Sequence, residues 1–304
     1  MRILALAAFA SIAALLSLSQ GATPQEKPTF SARSELVVLH VVVEDRKGTY
    51  VSGLRQDVFT VLEDDKPQAV QFFSAADTPA SIGLLVDNST SMMTRRQMAV
   101  AAALGFVEQS NPEDEVFVLG FNENVAEIAP PKVIGHTNMA SLRALLVGGL
   151  FAHGKTALYD AIVAGLDRLE RGKHSRQVLV LISDGGDNAS ATTLKDVLSR
   201  TRGSEAAIFT VMLKDPISRE GNPRLLKRLA SETGGEAFEP DDMDDVPETL
   251  EHIARDIRSA YTIGFVPSSA ATDRAMRTLR VVVRTPAGTL KTRTRGGYVI
   301  KEQP

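Results

Sequence analysis

The stretch that decides the fold runs from Ile82 to Ser91 and has the sequence Ile-Gly-Leu-Leu-Val-Asp-Asn-Ser-Thr-Ser. Its first five residues are apolar, which predicts a short strand (Ile82–Val86) that is covered on both faces. The next five residues carry oxygen-bearing or amide side chains, and a helical pattern then runs from Thr94 to Gln109, ending at Asn111-Pro112. A buried strand that passes through a polar turn into a helix predicts an α/β unit.

The same alternation continues toward the C-terminus. The elements predicted after this helix are strand Val116–Phe121, helix Ala157–Arg171, strand Val178–Ile182, helix Thr193–Arg202, strand Ala207–Leu213, and helices Pro223–Thr233 and Pro247–Arg258. Strands that alternate with helices at this spacing predict an α/β fold with a doubly wound, mostly parallel, Rossmann-like sheet over residues 79–258.

The two flanks of this domain have β patterns instead. Residues 35–75 contain a Val- and Leu-rich strand (Leu36–Glu44) and then strand character that turns at Asp64-Asp65-Lys66-Pro67 into Ala69–Phe73, which predicts a hairpin. Residues 260–300 contain three further strand-like runs with a turn at Pro286-Ala287-Gly288. Each block is too small to bury a core alone, so we expect them to pack on each other as one small β domain.

Oxygen-bearing side chains follow two of the predicted strands and begin one helix. Asp87, Ser89 and Ser91 come directly after the first strand, Thr156 heads the helix that starts near Ala157, and Asp184 ends the strand Val178–Ile182. One such segment alone is better explained as a helix N-cap. Three segments at the ligand-binding edge of one sheet predict a site for a hard cation, because Mg²⁺ prefers oxygen ligands and needs only one or two carboxylates.

At these residues the chain resembles the von Willebrand factor A domains. The Asp87-x-Ser89-x-Ser91 triplet, the later Thr156 and the later Asp184 are similar to the metal-ion-dependent adhesion site of that family, in the same order and on the expected elements. The resemblance covers residues 79–258 and implies that Ser89, Ser91 and Thr156 contact the metal, with Asp87 and Asp184 bonding partly through waters. The flanks resemble a bacterial exported subfamily, through Gly264-Phe265-Val266-Pro267 and Arg295-Gly296-Gly297-Tyr298.

This resemblance implies a function. We expect a non-catalytic, adhesion-type module that binds a protein or peptide partner by accepting a carboxylate of the partner on the cation, most simply Mg²⁺, with Mn²⁺ or Ca²⁺ as alternatives. One residue departs from the family pattern: Lys155 stands where many relatives have a second glycine before the threonine. A cation at that position would disfavour a metal electrostatically.

A nucleotide-binding interpretation competes for the same threonine. Residues Gly149–Thr156 match the phosphate-binding pattern G-x-x-x-x-G-K-T. Such a loop should follow a strand, whereas Ser141–Leu146 is better interpreted as a short helix. This alternative also leaves the segment Asp87–Ser91 without a role.

A Mg²⁺-dependent phosphatase of the haloacid dehalogenase type is a second alternative. It requires another aspartate two residues after the nucleophile, and Ser89 stands there. Asp187 and Asn188, which follow the predicted ligand Asp184, are interpreted as turn formers.

Composition narrows the setting. Among 304 residues there are no cysteines, which excludes disulfides and thiolate sites, and the net charge of −3 gives no indication of nucleic-acid binding. Residues 1–21 have a positive start, an apolar run and small residues at the end, which predicts a cleaved signal peptide and export to the periplasm or the medium. No second apolar run is present, so we expect no integral membrane segment in the mature chain.

Overall fold

A six-stranded, mostly parallel sheet forms the centre of the molecule. The computed structural model describes residues 36–131, 138–213, 221–268 and 276–299. The strands of this sheet are β5 (Ser81–Asp87), β6 (Glu115–Phe121), β7 (Val125–Ala129), β8 (Gln177–Ser183), β9 (Ala207–Met212) and β10 (Ala237–Phe238). Their order is β10-β9-β8-β5-β6-β7, and only the edge strand β7 runs antiparallel to its neighbour.

Helices cover both faces of this sheet. They are α1 (Arg96–Gln109), α2 (Met139–Gly149), α3 (Leu158–Leu169), α4 (Leu194–Arg202), α5 (Pro223–Thr233) and α6 (Val246–Ser259). Leu84 of β5 packs in a core with α1, α2 and α6, whereas Leu85 packs in a second core with α3, α4 and α5. Because successive side chains of a strand point to opposite faces, every residue of β5 is buried. This explains the uninterrupted apolar pattern that predicted the strand.

The second sheet is antiparallel and contains strands from both flanks. They are β1 (Val37–Glu44), β2 (Phe59–Glu63), β3 (Lys66–Gln68), β4 (Val70–Ser74), β11 (Tyr261–Phe265), β12 (Met276–Thr285), β13 (Gly288–Arg293) and β14 (Gly297–Val299). The order is β3-β2-β12-β13-β1-β11-β4, with β14 paired to β12. On this pairing we propose that residues 35–75 and 260–300 form one β domain, into which residues 79–258 are inserted.

The hairpin predicted around Asp64-Asp65 is wrong in its second strand. The turn exists, with positive φ at both aspartates (46° and 61°), but it joins β2 to the short strand β3. Residues 70–74 pair with β11 instead. There the ring of Phe73 lies 5.1 Å from that of Phe59 and 5.8 Å from that of Tyr261. Burying these rings together, in a sheet that curls round its own core, favours this pairing over a longer hairpin.

No helix in the described ranges is long and apolar enough to cross a membrane. The predicted signal peptide, residues 1–21, lies outside the described residues and stays a prediction.

Candidate metal site

The candidate site lies at the carboxyl end of two neighbouring parallel strands, β5 and β8. Asp87 is the last residue of β5, and Asp184 directly follows the last residue of β8. Val86 and Ile182 are register partners, so Asp87 is level with Ser183, and Asp184 follows one residue further along the neighbouring chain segment. Ligands of open α/β sheets bind at this edge.

Asp87 is only 2% exposed, and both of its carboxylate oxygens accept hydrogen bonds. The backbone N–H of Ser89 donates to Oδ1 over 2.9 Å, and the hydroxyl of Ser183 donates to Oδ2 over 2.7 Å. Burial raises the pKa of Asp87 from 3.8 to about 6; the bonds from Ser183 and Ser89 oppose this, and the charge of Asp184 adds to it. Asp87 therefore holds the serine loop in place, and a cation nearby would favour its ionised form.

The hydroxyl oxygens of Ser89 and Ser91 lie 3.0 Å apart. A 3-10 turn over Thr90–Met92 begins directly after Ser89 and folds the chain so that the two side chains meet. Arg95 fixes the turn by donating to the carbonyl oxygen of Ser91 over 2.6 Å. Two adjacent ligands of an octahedral Mg²⁺, each about 2.1 Å from the ion, are about 3 Å apart. The spacing of the hydroxyl pair thus fits two neighbouring positions around that ion.

Thr156 lies in the loop between α2 and α3, and this loop reaches the same edge. Its backbone N–H donates to Oδ1 of Asn188 over 2.8 Å, and its carbonyl oxygen accepts from the N–H groups of Asn188 and Ala189. Two residues earlier, the carbonyl oxygen of Gly154 accepts from the backbone N–H and the hydroxyl of Thr90, over 3.2 and 3.0 Å. The loop that carries Thr156 is therefore bonded both to the loop after β8 and to the turn after β5.

The structure thus brings the three predicted segments together in interlocked loops. Asp184 and Thr156 are buried like Asp87, and one carboxylate oxygen of Asp184 accepts the backbone N–H of Gly186 over 3.1 Å. The donor set is two carboxylates and three hydroxyls, which is oxygen-only and suits a hard cation. Within the described ranges, no group of three or more His, Cys, Asp and Glu side chains is placed to hold a metal. The set predicted here contains only two such residues, with hydroxyls as its other members.

Sequence reasoning missed the residues that position the predicted ligands. Asn188 was interpreted as a turn former, but its side chain holds the backbone of Thr156. Asp187 accepts the N–H of Tyr159 and the hydroxyl of Ser190, over 3.2 and 2.6 Å, and so ties the loop after β8 to the first turn of α3. The signal for these roles was present in the sequence, as an unbroken polar run after Asp184, but such runs are also typical of simple turns.

The loop Gly149–Thr156 lacks the surroundings of a phosphate-binding loop. It follows helix α2 rather than a strand. The carboxylate of Glu123 accepts the backbone N–H of Lys155 over 2.7 Å, and it lies so close to Gly154 that a Cβ there would collide with it. A phosphate-binding loop offers such N–H groups to the ligand, whereas here an acid of the protein already occupies one of them.

These features define a class of protein: an open α/β domain whose polar loops converge at the carboxyl edge of the sheet. Residues 82–186 match the family model of the von Willebrand factor type A domain. Over this span the chain is a von Willebrand factor type A domain, as the sequence resemblance implied, and that prediction is confirmed. The matched span contains all five predicted ligands: Asp87, Ser89, Ser91, Thr156 and Asp184.

Three solved structures are similar to this chain at low sequence identity. A von Willebrand factor type A protein from Catenulispora acidiphila is 13% identical, with 88% of this chain and 75% of that chain covered and a TM-score of 0.51. An aerotolerance-related membrane protein from Bacteroides fragilis is 15% identical, with 59% and 98% covered and a TM-score of 0.43. Proximal thread matrix protein 1 from the mussel byssus is 14% identical, with 64% and 51% covered and a TM-score of 0.49. No curated protein matches the chain by sequence.

Proposed function

We propose that this chain is an exported, non-catalytic binding module that holds a divalent cation and uses it to bind an acidic group of a protein or peptide partner. The cation, most simply Mg²⁺ with Mn²⁺ or Ca²⁺ as alternatives, is held by Asp87, Ser89, Ser91, Thr156 and Asp184. The observation that carries the proposal is the hydroxyl pair of Ser89 and Ser91, 3.0 Å apart beside two buried acids.

The residues of the chain have separate roles in this proposal. Ser89, Ser91 and Thr156 would supply neutral oxygens in direct contact with the ion, while Asp87 and Asp184 would bond to it partly through waters. Because three of the five donors are uncharged, a bound cation keeps positive charge that attracts a carboxylate of the partner. Asp87 also orients Ser89, since its Oδ1 accepts the backbone N–H of that serine.

A binding role is favoured over the two enzymatic alternatives. A phosphatase nucleophile needs an accessible carboxylate, whereas Asp87 is buried and both of its oxygens accept hydrogen bonds. Nucleotide binding at Gly149–Thr156 needs free backbone donors, whereas the N–H of Lys155 is bonded to Glu123. The fold alone does not decide between these functions, so the preference for a binding role rests on these contacts.

The test is titration of the full chain with Mn²⁺ and Mg²⁺ by calorimetry, for the wild type and the variants Asp87→Ala and Ser89→Ala. We expect each variant to weaken binding by at least about tenfold, as loss of a ligand or of its support does at other metal sites. Asp57→Ala is the matched control, because it removes an exposed carboxylate in the segment directly before β2, outside the candidate site. This variant should bind the cation like the wild type. Circular dichroism separates lost binding from lost folding.

Wild-type affinity in both site variants would overturn the proposal. So would ATP binding by the wild type that Lys155→Ala removes, because that outcome is the signature of the phosphate-binding alternative. A crystal grown with Mn²⁺ gives an independent readout, since the anomalous signal should lie beside the hydroxyl oxygens of Ser89 and Ser91.

A further inference from the structure

An exposed apolar patch lies beside the candidate metal site. Among the described residues, seven large apolar side chains are exposed, and three of these belong to this patch: Met93 at 61%, Val147 at 47% and Phe151 at 58%. Met93 follows Ser91 by two residues, and Phe151 opens the loop that leads to Thr156. Scattered single apolar residues are normal on a protein surface, whereas a contiguous group marks an interaction site.

Arg96 holds this patch together. Its guanidinium lies over the ring of Phe151, 4.9 Å from the centroid, and donates to the carbonyl oxygens of Val147 and Leu150 at the end of α2. Met93 lies three residues before Arg96, in the turn that leads from the 3-10 segment into α1. Because one face of the Phe151 ring is stacked on a fixed cation, the ring is kept at the surface and the patch is a built feature of the fold.

The charges next to the patch favour an acidic partner. Lys155 is exposed on the same loop as Phe151, and within the described ranges its ammonium forms no ion pair. In the proposed function the cation beside Ser91 adds positive charge at the same edge. Glu123 adds one negative charge beside Lys155, since its carboxylate accepts the backbone N–H of that residue over 2.7 Å. Arg96, Lys155 and the proposed cation outweigh it, so the complement of this face is an acidic residue with a bulky apolar neighbour.

We infer that the patch of Met93, Val147 and Phe151 is a docking surface for the partner, and that the partner is a polypeptide segment in which an acidic residue is flanked by a bulky apolar residue. The acidic side chain binds at the proposed cation, and the apolar side chain packs on the patch. This inference rests on the proposed function, because the cation fixes where the acid binds. Phe151 is the central contact, since an aromatic side chain on a rigid base is the kind of residue that dominates binding energy.

The test uses an array of synthetic peptides with a central glutamate and varied neighbours, probed with the full chain in Mg²⁺ and again in EDTA. The wild type should prefer peptides with Leu, Ile or Phe beside the glutamate, and only with Mg²⁺ present. Phe151→Ser should weaken binding of those peptides about tenfold, which corresponds to ~1.4 kcal/mol, and should leave Mg²⁺ affinity unchanged. Phe72→Ser is the matched control, because Phe72 is also an exposed phenylalanine (48%, against 58% for Phe151) but belongs to the antiparallel sheet.

The outcomes separate the two proposals. Two results would overturn the docking role of the patch and leave the proposed function standing. One is Mg²⁺-dependent peptide binding by the wild type without a preference for apolar neighbours. The other is the same apolar preference in Phe151→Ser as in the wild type. Binding that ignores EDTA but is lost in Phe151→Ser would overturn the proposed function and keep the patch as a docking surface. If the wild type and Phe151→Ser both select glutamate peptides without apolar neighbours, the docking role of the patch is refuted directly.

Discussion

The two sheets of this molecule bury their cores differently, and the difference determines where charged groups are found. The parallel sheet is covered on both faces, so all seven residues of β5 are buried. The antiparallel sheet is covered on one face only, so β2 alternates between buried positions and positions that are exposed or half-buried. In the first sheet, the buried acids Asp87 and Asp184 lie at the carboxyl edge. In the second, Arg293 is paired with the buried Asp256 where the two sheets meet.

Where the two sheets meet, charged side chains form a network of ion pairs and hydrogen bonds. Arg293 of β13 donates to Asp256 of α6 over 2.5 Å, pairs with Glu236 over 3.2 Å and lies 5.7 Å from the ring centroid of Phe209. On the other side, Arg176 donates to the carbonyl oxygen of Ile257. A buried ion pair adds little net stability, because desolvation offsets its attraction. We propose instead that the network fixes how the β domain is placed on the α/β domain.

The largest expected effect therefore comes from breaking this network. Arg293→Ala leaves the carboxylate of Asp256, which is 0% exposed, without its cation, and we expect a loss of about 3–5 kcal/mol in the free energy of unfolding. Burial already raises the pKa of Asp256, and the positive charge of Arg293 opposes that rise. Urea denaturation followed by circular dichroism measures the loss.

Two variants sharpen this prediction. Lys291→Ala removes the other cation of β13, which pairs with Glu44 over 2.7 Å but is 68% exposed, and it should cost no more than about 1 kcal/mol. The double variant Arg293→Met with Asp256→Leu replaces the pair by apolar groups and should recover much of the loss. Equal losses for Arg293→Ala and Lys291→Ala would contradict the division between a buried network and a solvated face.

The second prediction compares a sheet face that is covered by helices with the outer face of the antiparallel sheet. Leu84 of β5 is fully buried between sheet and helices, and Leu84→Ala should lower the free energy of unfolding by about 2–5 kcal/mol. Leu62 of β2 lies on the outer, half-buried face of the antiparallel sheet, and Leu62→Ala should cost less than about 1 kcal/mol. The urea midpoints of both variants measure the difference. A cost for Leu62→Ala as large as that for Leu84→Ala would show that the outer face is covered after all.

The same contrast explains which parts of the fold the sequence predicts. The uninterrupted apolar runs of β5 and β8 and the amphipathic helices α3, α5 and α6 are local patterns, and their positions agree with the predicted ranges to within three residues. The strands β7, β10 and β14 were missed, because each is short and lies at or near a sheet edge, where few contacts constrain the residue pattern. The partner of β4 was also missed, since it depends on the rings of Phe59, Phe73 and Tyr261 meeting across the β core.

For the candidate site, residue types and topology sufficed to place the loops but not their supports. The neighbouring parallel strands β5 and β8 bring Asp87 and Asp184 together, although β6 and β7 lie between them in the chain, so the family resemblance rather than chain order indicated this pairing. The bond from Ser183 to Asp87 and the bond from Thr156 to Asn188 depend on side-chain geometry after folding. No periodicity encodes them, so only the folded chain reveals that these residues hold the ligands.

The smallest expected effect concerns His40 of β1, where the two sheets meet. The imidazole lines a small cavity together with Arg176 and Arg295, and its Nδ1 lies 3.3 Å from the hydroxyl of Thr262. Burial, and then the positive charges of Arg176 and Arg295, lower the pKa of His40 from 6.5 to about 3. The folded protein therefore keeps this histidine neutral at pH values where the unfolded chain protonates it.

A histidine with a lowered pKa makes the fold sensitive to acid, because between pH 6.5 and pH 3 the unfolded state binds a proton that the folded state does not bind. The stability that depends on neutral His40 is complete above pH 6.5 and declines as the pH falls toward 3. Between pH 7 and pH 5 the decline amounts to at most about 2 kcal/mol.

The measurement is the urea midpoint across this range for the wild type and for His40→Gln, which keeps a polar side chain but cannot titrate. Subtracting the two curves removes the contribution of every other histidine and acid. We expect His40→Gln to lose less stability than the wild type on acidification; parallel curves would show that His40 is protonated in the folded protein and that solvent reaches the space between the two sheets.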